Sequence, residues 1–374
     1  MAEPQYLALD AMGGDFGPSV VIPGAALALK RHPSLQFLLF GKASTIETEL
    51  LGYPELAARS LVRHTDTVIA SDAKPSQALR RGKGTSMWQA LEAVRDGEAA
   101  FAVSAGNTGA LMAVSRLILR TLPGIDRPAL AGQWPTIHRP SIVLDVGANI
   151  GASAQELCNF ALMGAAMSHS VFGIDLPTVG LLNVGVEEIK GADEVKQAHT
   201  WLKDVQLSFD YRGYVEGDKI GQGIVDVVVC EGFTGNIALK TAEGTSKQIA
   251  TYLREAMSSS LLTRAGALLA TGAFKILKHR SDPRRFNGGT FLGLNGIVIK
   301  SHGGTDTYGF ASAIEVGYGM ASSGIIDRLT TDLASLTARL AVIAQASAPE
   351  APAAVASVGD GAGTGKPLQR LPQS

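Results

Sequence analysis

Asn236 lies in the run Asp226-Val-Val-Val-Cys-Glu-Gly-Phe-Thr-Gly-Asn-Ile-Ala-Leu-Lys240, where a buried-strand pattern breaks into a glycine-rich turn and then into helix formers. An amide in such a turn, with the free backbone N–H groups and the positive end of a helix dipole, can hold a phosphate or a developing oxyanion. The pattern predicts a parallel strand over Val225 to Cys230 and a helix over Ile237 to Ala250, which puts Asn236 at the helix N-terminus. Gly232 and Gly235 permit the tight backbone between them. The same residues also suit an ordinary strand-to-helix turn with Asn236 as its cap.

The construction recurs. Leu7–Asp10 breaks into Ala-Met-Gly13-Gly14-Asp15, and Ala99–Val103 into Ser104-Ala-Gly-Asn107-Thr108-Gly109. Ser141–Leu144 breaks into Asp145-Val-Gly147-Ala-Asn149, and Val179–Leu182 into Asn183-Val-Gly185 followed by Lys190. In an open parallel sheet the C-terminal ends of the strands line one crevice, so five such ends are expected to share a single polar ligand site. Asn107, Thr108, Asn149 and Gly235 are its candidate phosphate or oxyanion contacts. His302, in Ser301-His302-Gly303-Gly304 after a strand-like Gly296–Lys300, is a further candidate that also suits a surface position.

The elements that must position these residues are legible from composition and period. The 374 residues are 46% hydrophobic, and helical stretches alternate with short Val/Ile/Leu runs, which predicts a Rossmann-like, doubly wound α/β fold with a mostly parallel sheet. One domain is expected over residues 1–345, followed by a disordered Ala/Pro/Gly-rich tail over 346–374. The net charge of −1 gives no electrostatic footprint for nucleic acid. Cys158 and Cys230, the two cysteines, have no CxxC spacing or neighbouring histidines, so neither metal nor disulfide is expected. The N-terminus has no signal-peptide pattern and no stretch is apolar enough to span a bilayer, which points to a cytoplasmic protein. Gly361-Ala-Gly-Thr-Gly-Lys366-Pro367 lacks the first glycine and the hydroxyl of a P-loop, Gly13, Gly14 and Gly17 have the wrong spacing for a dinucleotide fingerprint, and no GxSxG elbow occurs.

Residues 245–285 read as a protruding helical hairpin, with helices over Thr245–Met257 and Leu261–His279 separated by Ser258-Ser259-Ser260. Its second arm carries Leu261, Leu262, Leu268 and Leu269 beside Arg264, Lys275 and Lys278. Eight basic side chains stand against two acidic ones between 251 and 300, a net +6 in a nearly neutral chain. Such a segment suits an anionic membrane surface or an acidic partner protein, and its leucines equally suit a dimer interface.

Six segments, in order, carry a family resemblance: Leu9-Asp-Ala-Met-Gly-Gly-Asp15, Ser104-Ala-Gly-Asn-Thr-Gly-Ala-Leu-Met112, Arg127-Pro-Ala-Leu130, Leu144-Asp-Val-Gly-Ala-Asn149, Leu181-Leu-Asn-Val-Gly185 and Gly232-Phe-Thr-Gly-Asn-Ile-Ala-Leu-Lys-Thr241. From residue 5 to about 335 the chain resembles the bacterial phosphate acyltransferases of phospholipid synthesis. The resemblance implies transfer of a fatty acyl group from acyl carrier protein to inorganic phosphate, the acyl phosphate then serving a membrane glycerol-3-phosphate acyltransferase. It implies a homodimer without metal or cofactor, held peripherally at the inner face of the membrane through a helical hairpin. It also places catalytic roles on Lys190 and Asn236. The chain departs from the family pattern at Glu231, where aspartate is usual, at Gly151–Glu156, which lacks a lysine-proline pair, and at His302-Gly-Gly-Thr305. The runner-up reading is a phosphotransacylase using coenzyme A thioesters, and a non-catalytic module that binds anionic lipid is the alternative of another class.

Overall fold

A computed structural model describes residues 6–204 and 207–346; of the tail expected after residue 345, positions 347–374 lie outside them. Eleven strands among the described residues form one sheet: Tyr6–Asp10 (β1), Gln36–Gly41 (β2), Ser60–His64 (β3), Phe101–Ser104 (β4), Ala129–Trp134 (β5), Ser141–Leu144 (β6), Thr178–Leu182 (β7), Asp210–Val215 (β8), Val227–Val229 (β9), Gly289–Leu292 (β10) and Ile297–Lys300 (β11). The α/β reading holds, with seven parallel strand pairs against three antiparallel ones. Side chains alternate across the sheet as the two-residue period requires. Leu7 and Leu9 of β1, and Ile142 and Leu144 of β6, enter one core, whereas Ala8 and Val143 between them face the opposite side. The first core is covered by the helices Pro18–Arg31, Ala154–Phe172, Thr307–Ser322 and Ile325–Ala346, and the second by Ser86–Arg95 and Thr108–Leu119.

One expectation fails at this level. The strand order β3-β2-β1-β4-β11-β10-β5-β6-β9-β7-β8 contains three successive reversals, because β10 is antiparallel to both β11 and β5, and β5 is antiparallel to β6. The β1/β4/β11 block therefore points opposite to the β6/β9/β7 block. The five glycine-rich strand ends cannot line one crevice: those after β1 and β4 lie at one edge of the sheet, and those after β6, β7 and β9 at the other.

The hairpin is present with different breaks. One helix runs from Gly232 to Ser258, about 40 Å at 1.5 Å per residue. Ser260 caps a second helix over Leu261–Leu269, and a third runs over Thr271–Arg280, so the arm read as continuous to His279 is interrupted at Ala270. Neither short helix buries a residue; Leu268 and Leu269 are 77% and 90% exposed. Two charges of the +6 window do not belong to its surface, since Arg284 is paired with Asp282 and Asp306, and Lys300 ends β11. Among the described residues no helix is long and apolar enough to cross a membrane.

Candidate functional site

At the β6/β9/β7 edge the polar groups divide into those that build the turns and those left over. The Asp145 carboxylate fills the turn after β6, accepting from the N–H groups of Leu130, Gly147, Ala148 and Asn149 and from Asn149 Nδ2, at 2.8–3.1 Å. Burial pushes its carboxyl up, against the pull of those donors. Asn149, a candidate ligand by sequence, is buried with its amide donating to Asp145 and to the Pro128 carbonyl, and so serves the turn. Arg127 holds the far side of this loop, gripping Glu156 through two bonds of 2.7 and 2.9 Å.

Glu231 does the same for the next turn. Its side chain caps the Gly232–Ser258 helix, accepting from Phe233 and Thr234 N–H at 2.8 and 2.7 Å and from Gly151 N–H at 3.1 Å. Burial raises the Glu231 carboxyl, but the Thr234 hydroxyl and the backbone donors outweigh it and hold the group below its ordinary range. Two sequence expectations change as a result. The helix begins five residues before Ile237, so Asn236 lies in its second turn and Glu231 is the cap. The backbone N–H groups expected to meet an external anion are already bound to the protein's own carboxylate.

Gly235 is buried, and a Cβ built there would stand 1.9 Å from the Asp145 carbonyl oxygen and 2.8 Å from Cys230 Sγ. Its role is to let the helix approach β6; the absent side chain is filled by protein. Two groups remain. Asn236 stands over Gly147, with its Cγ and Oδ1 at 3.4 and 3.5 Å from where a Cβ on Gly147 would be, and its exposed amide has no hydrogen-bond partner among the described residues. Lys190, on the loop after the neighbouring strand β7, is exposed and has no ion pair among the described residues, whereas nearby Lys203 and Lys196 are paired with Glu188 and Asp193. Asn183 shapes that loop by donating to the carbonyls of Gly185 and Lys190, and Gly191, at φ +94° and pressed against the Asn183 amide, accepts no side chain.

The opposite edge gathers the other candidates and some that sequence reasoning missed. Asn107 caps the Thr108–Leu119 helix through Oδ1 and donates to the Ser71 carbonyl, which uses both ends of its amide; Thr108 is exposed on the first turn. His302 accepts from Gly304 N–H at Nδ1 and is exposed. Beneath them Asp10 is buried, with Ser104 Oγ on Oδ2 at 2.7 Å and no partner on Oδ1. Lys300 reaches the carbonyls of Ala105 and Ser301. Burial pushes its ammonium down to about 8, against the pull of Asp10 and Asp15. The only signal for Lys300 in the sequence is a lysine closing an apolar strand, which is also the look of an ordinary solvated strand end. Among the described residues no group of three or more His, Cys, Asp or Glu could hold a metal ion.

The fold is an α/β fold that phosphotransacetylases share. A phosphotransacetylase from Streptococcus pyogenes superimposes with a TM-score of 0.56 at 18% identity, over 86% of this chain and 95% of its own. One from Staphylococcus aureus does so with a TM-score of 0.55 at 16% identity, over 85% and 94%. These likenesses carry the fold. Sequence carries the family: the model of the family described as "Fatty acid synthesis protein" matches residues 6–328. A phosphate acyltransferase from Afipia carboxidovorans is 59% identical over 88% of this chain and 94% of its own, and one from Agrobacterium fabrum 58% over 89% and 95%. The chain belongs to the phosphate acyltransferase family of fatty acid and phospholipid synthesis, and it is an acyltransferase.

Proposed function

We propose that this enzyme transfers a long-chain acyl group from acyl carrier protein to inorganic phosphate at the β6/β9/β7 edge. The observation that carries the reading is the uncommitted pair: where Asp145, Asn149, Asn183 and Glu231 are all tied into turns, the Asn236 amide and the Lys190 ammonium are free. Lys190 binds and orients phosphate. A phosphate oxygen attacks the thioester carbon, the Asn236 amide meets the oxyanion, and the carbon–sulfur bond breaks to release the carrier thiolate and acyl phosphate. Much of the inorganic phosphate is dianionic near neutral pH and a thiol has a pKa of about 8.5, so neither attack nor departure needs a strong base or acid, and positioning with one fixed donor suffices.

The half-exposed Phe233 and Ile237, one turn apart on the long helix, favour a homodimer, and the basic, leucine-bearing hairpin favours peripheral attachment to an anionic membrane on the cytoplasmic side. There the product passes to a membrane glycerol-3-phosphate acyltransferase. The same hairpin charge suits an acidic carrier protein as donor. The test is incubation with palmitoyl-acyl carrier protein and phosphate, following free thiol and acyl phosphate. Phosphate-dependent release is expected; release from palmitoyl-coenzyme A alone would transfer the reading to a phosphotransacylase, and no release from either would leave a binding module.

A further inference from the structure

The loops after β6, β7 and β9 form an open cavity of about 220 Å³. Its floor is Leu181, Val229 and Cys230, each no more than 4% exposed. Ala152, on the loop after β6, and Val195, at the start of the helix Asp193–Asp204, line its sides, with the exposed Thr234 and with Glu231. Apart from the exposed Glu194 and from Glu231 and Thr234 at the start of the long helix, the lining offers dispersion contacts. Burial holds the Cys230 thiol far above the ordinary range, so it is no nucleophile, and the Glu231 carboxylate is spent on capping the helix. An anion finds no cation in the lining, so a neutral apolar chain is the matching occupant.

We propose that this cavity binds the carbons of the acyl chain next to the thioester, an inference that rests on the acyl-transfer reading above. Ala192 and Thr234 of the lining each lie two residues from Lys190 and Asn236 respectively, so a chain seated in the cavity has its carbonyl end where the two segments that bear the pair come together. Its size fits a segment and not a whole substrate arm: at roughly 30 Å³ per methylene-sized group the cavity takes about seven carbons, and it is smaller than the roughly 300 Å³ at which sites for whole small molecules begin. The remainder of a long chain leaves through the open side.

The test is a series of acyl-pantetheine thioesters of increasing chain length with phosphate as acceptor. In the parent enzyme kcat/KM is expected to rise by about fourfold per added methylene up to about seven carbons and then to level. Val195→Phe and Ala152→Phe fill the cavity from two different elements, so in both the octanoyl-to-butyryl ratio of kcat/KM falls at least about tenfold, with melting curves showing each variant folded. An unchanged ratio in both folded variants overturns the proposal. Calorimetric binding of octanoyl-pantetheine amide, with nitrogen in place of the thioester sulfur, separates this inference from the reaction. Binding that the phenylalanine variants weaken at least about tenfold, in a protein that transfers no acyl group, keeps the cavity and removes the reaction; transfer with no chain-length-dependent binding removes the cavity and keeps the reaction.

Discussion

Two carboxylates do at the residue scale what an incoming phosphate would otherwise do. Asp145 and Glu231 occupy the donor-rich turns after β6 and β9, which leaves the rigid edge with one free amide and one free ammonium. If the oxyanion relies on the Asn236 amide, Asn236→Ala loses on the order of 10²- to 10³-fold in kcat with an unchanged melting temperature. Lys190→Met instead raises the phosphate KM steeply. A fall in kcat of less than about threefold for Asn236→Ala, against the expected 10²-fold or more, would remove the amide from the transition state. At the opposite edge Lys300 makes a prediction independent of catalysis. Its folded value of about 8 lies below the ordinary lysine value of roughly 10.4. The unfolded chain thus holds more protons between those values, and stability gains with rising pH across that window. Denaturant titrations from pH 7 to 10.5 are expected to show the parent gaining on the order of 3 kcal/mol relative to Lys300→Met. Parallel pH profiles for the two proteins would contradict the buried ammonium.

Glu231 governs a whole element, because its carboxylate closes the N-terminus of the helix that carries Asn236 and ties that helix to Gly151. Loss of an N-cap side chain typically costs about 1 kcal/mol, so Glu231→Ala is expected to destabilise by that order at neutral pH. The folded carboxyl is held below its unfolded value of about 4.3. Its contribution is therefore present above that pH and lost as pH falls through the folded value, where parent and variant should converge. A deficit in chemical denaturation that persists unchanged at pH 3 would show that the carboxylate is not what stabilises the helix. Six of the eleven described strands are legible in the sequence, Ser141–Leu144 to the residue and β1, β4, β7, β9 and β11 to within two, whereas β2, β3, β5, β8 and β10 are not. Nor is the start of the long helix, because Gly232 and Gly235 read locally as a turn. They are glycines because the helix presses on the Asn149 and Asp145 backbones, a tertiary demand with no local signature.

For the whole molecule the sequence could not show the direction of each half of the sheet. That direction is set by β5 and β10, whose antiparallel pairing brings together residues distant in the chain, as in Thr290 opposite Ala131, 159 positions apart. The ends of β1, β4, β6, β7, β9 and β11 read as polar in the sequence, yet Asn107, Thr108 and His302 fall at one edge and Asn149, Lys190 and Asn236 at the other. Charge is also partitioned at this scale. The chain carries −1 overall, whereas the hairpin presents Arg254, Arg264, Lys275, Lys278 and Arg280 around leucines that bury nothing within the chain. Both terms should contribute to attachment at an anionic bilayer, and they separate by salt. Raising ionic strength from 0.1 to 1 M shrinks the Debye length from about 10 to 3 Å, which screens the lysines and arginines but leaves apolar insertion intact. In vesicle flotation, binding to phosphatidylglycerol vesicles is therefore expected to fall severalfold with salt and to be weak on neutral phosphatidylcholine at any salt. The Leu268→Glu/Leu269→Glu double variant should float with neither, while turnover on soluble donors persists because these leucines lie on the hairpin's outer helix and away from the Asn236 turn. Retained flotation of that variant would assign the leucines to a second subunit, and a collapse of its soluble activity would place them in the catalytic assembly.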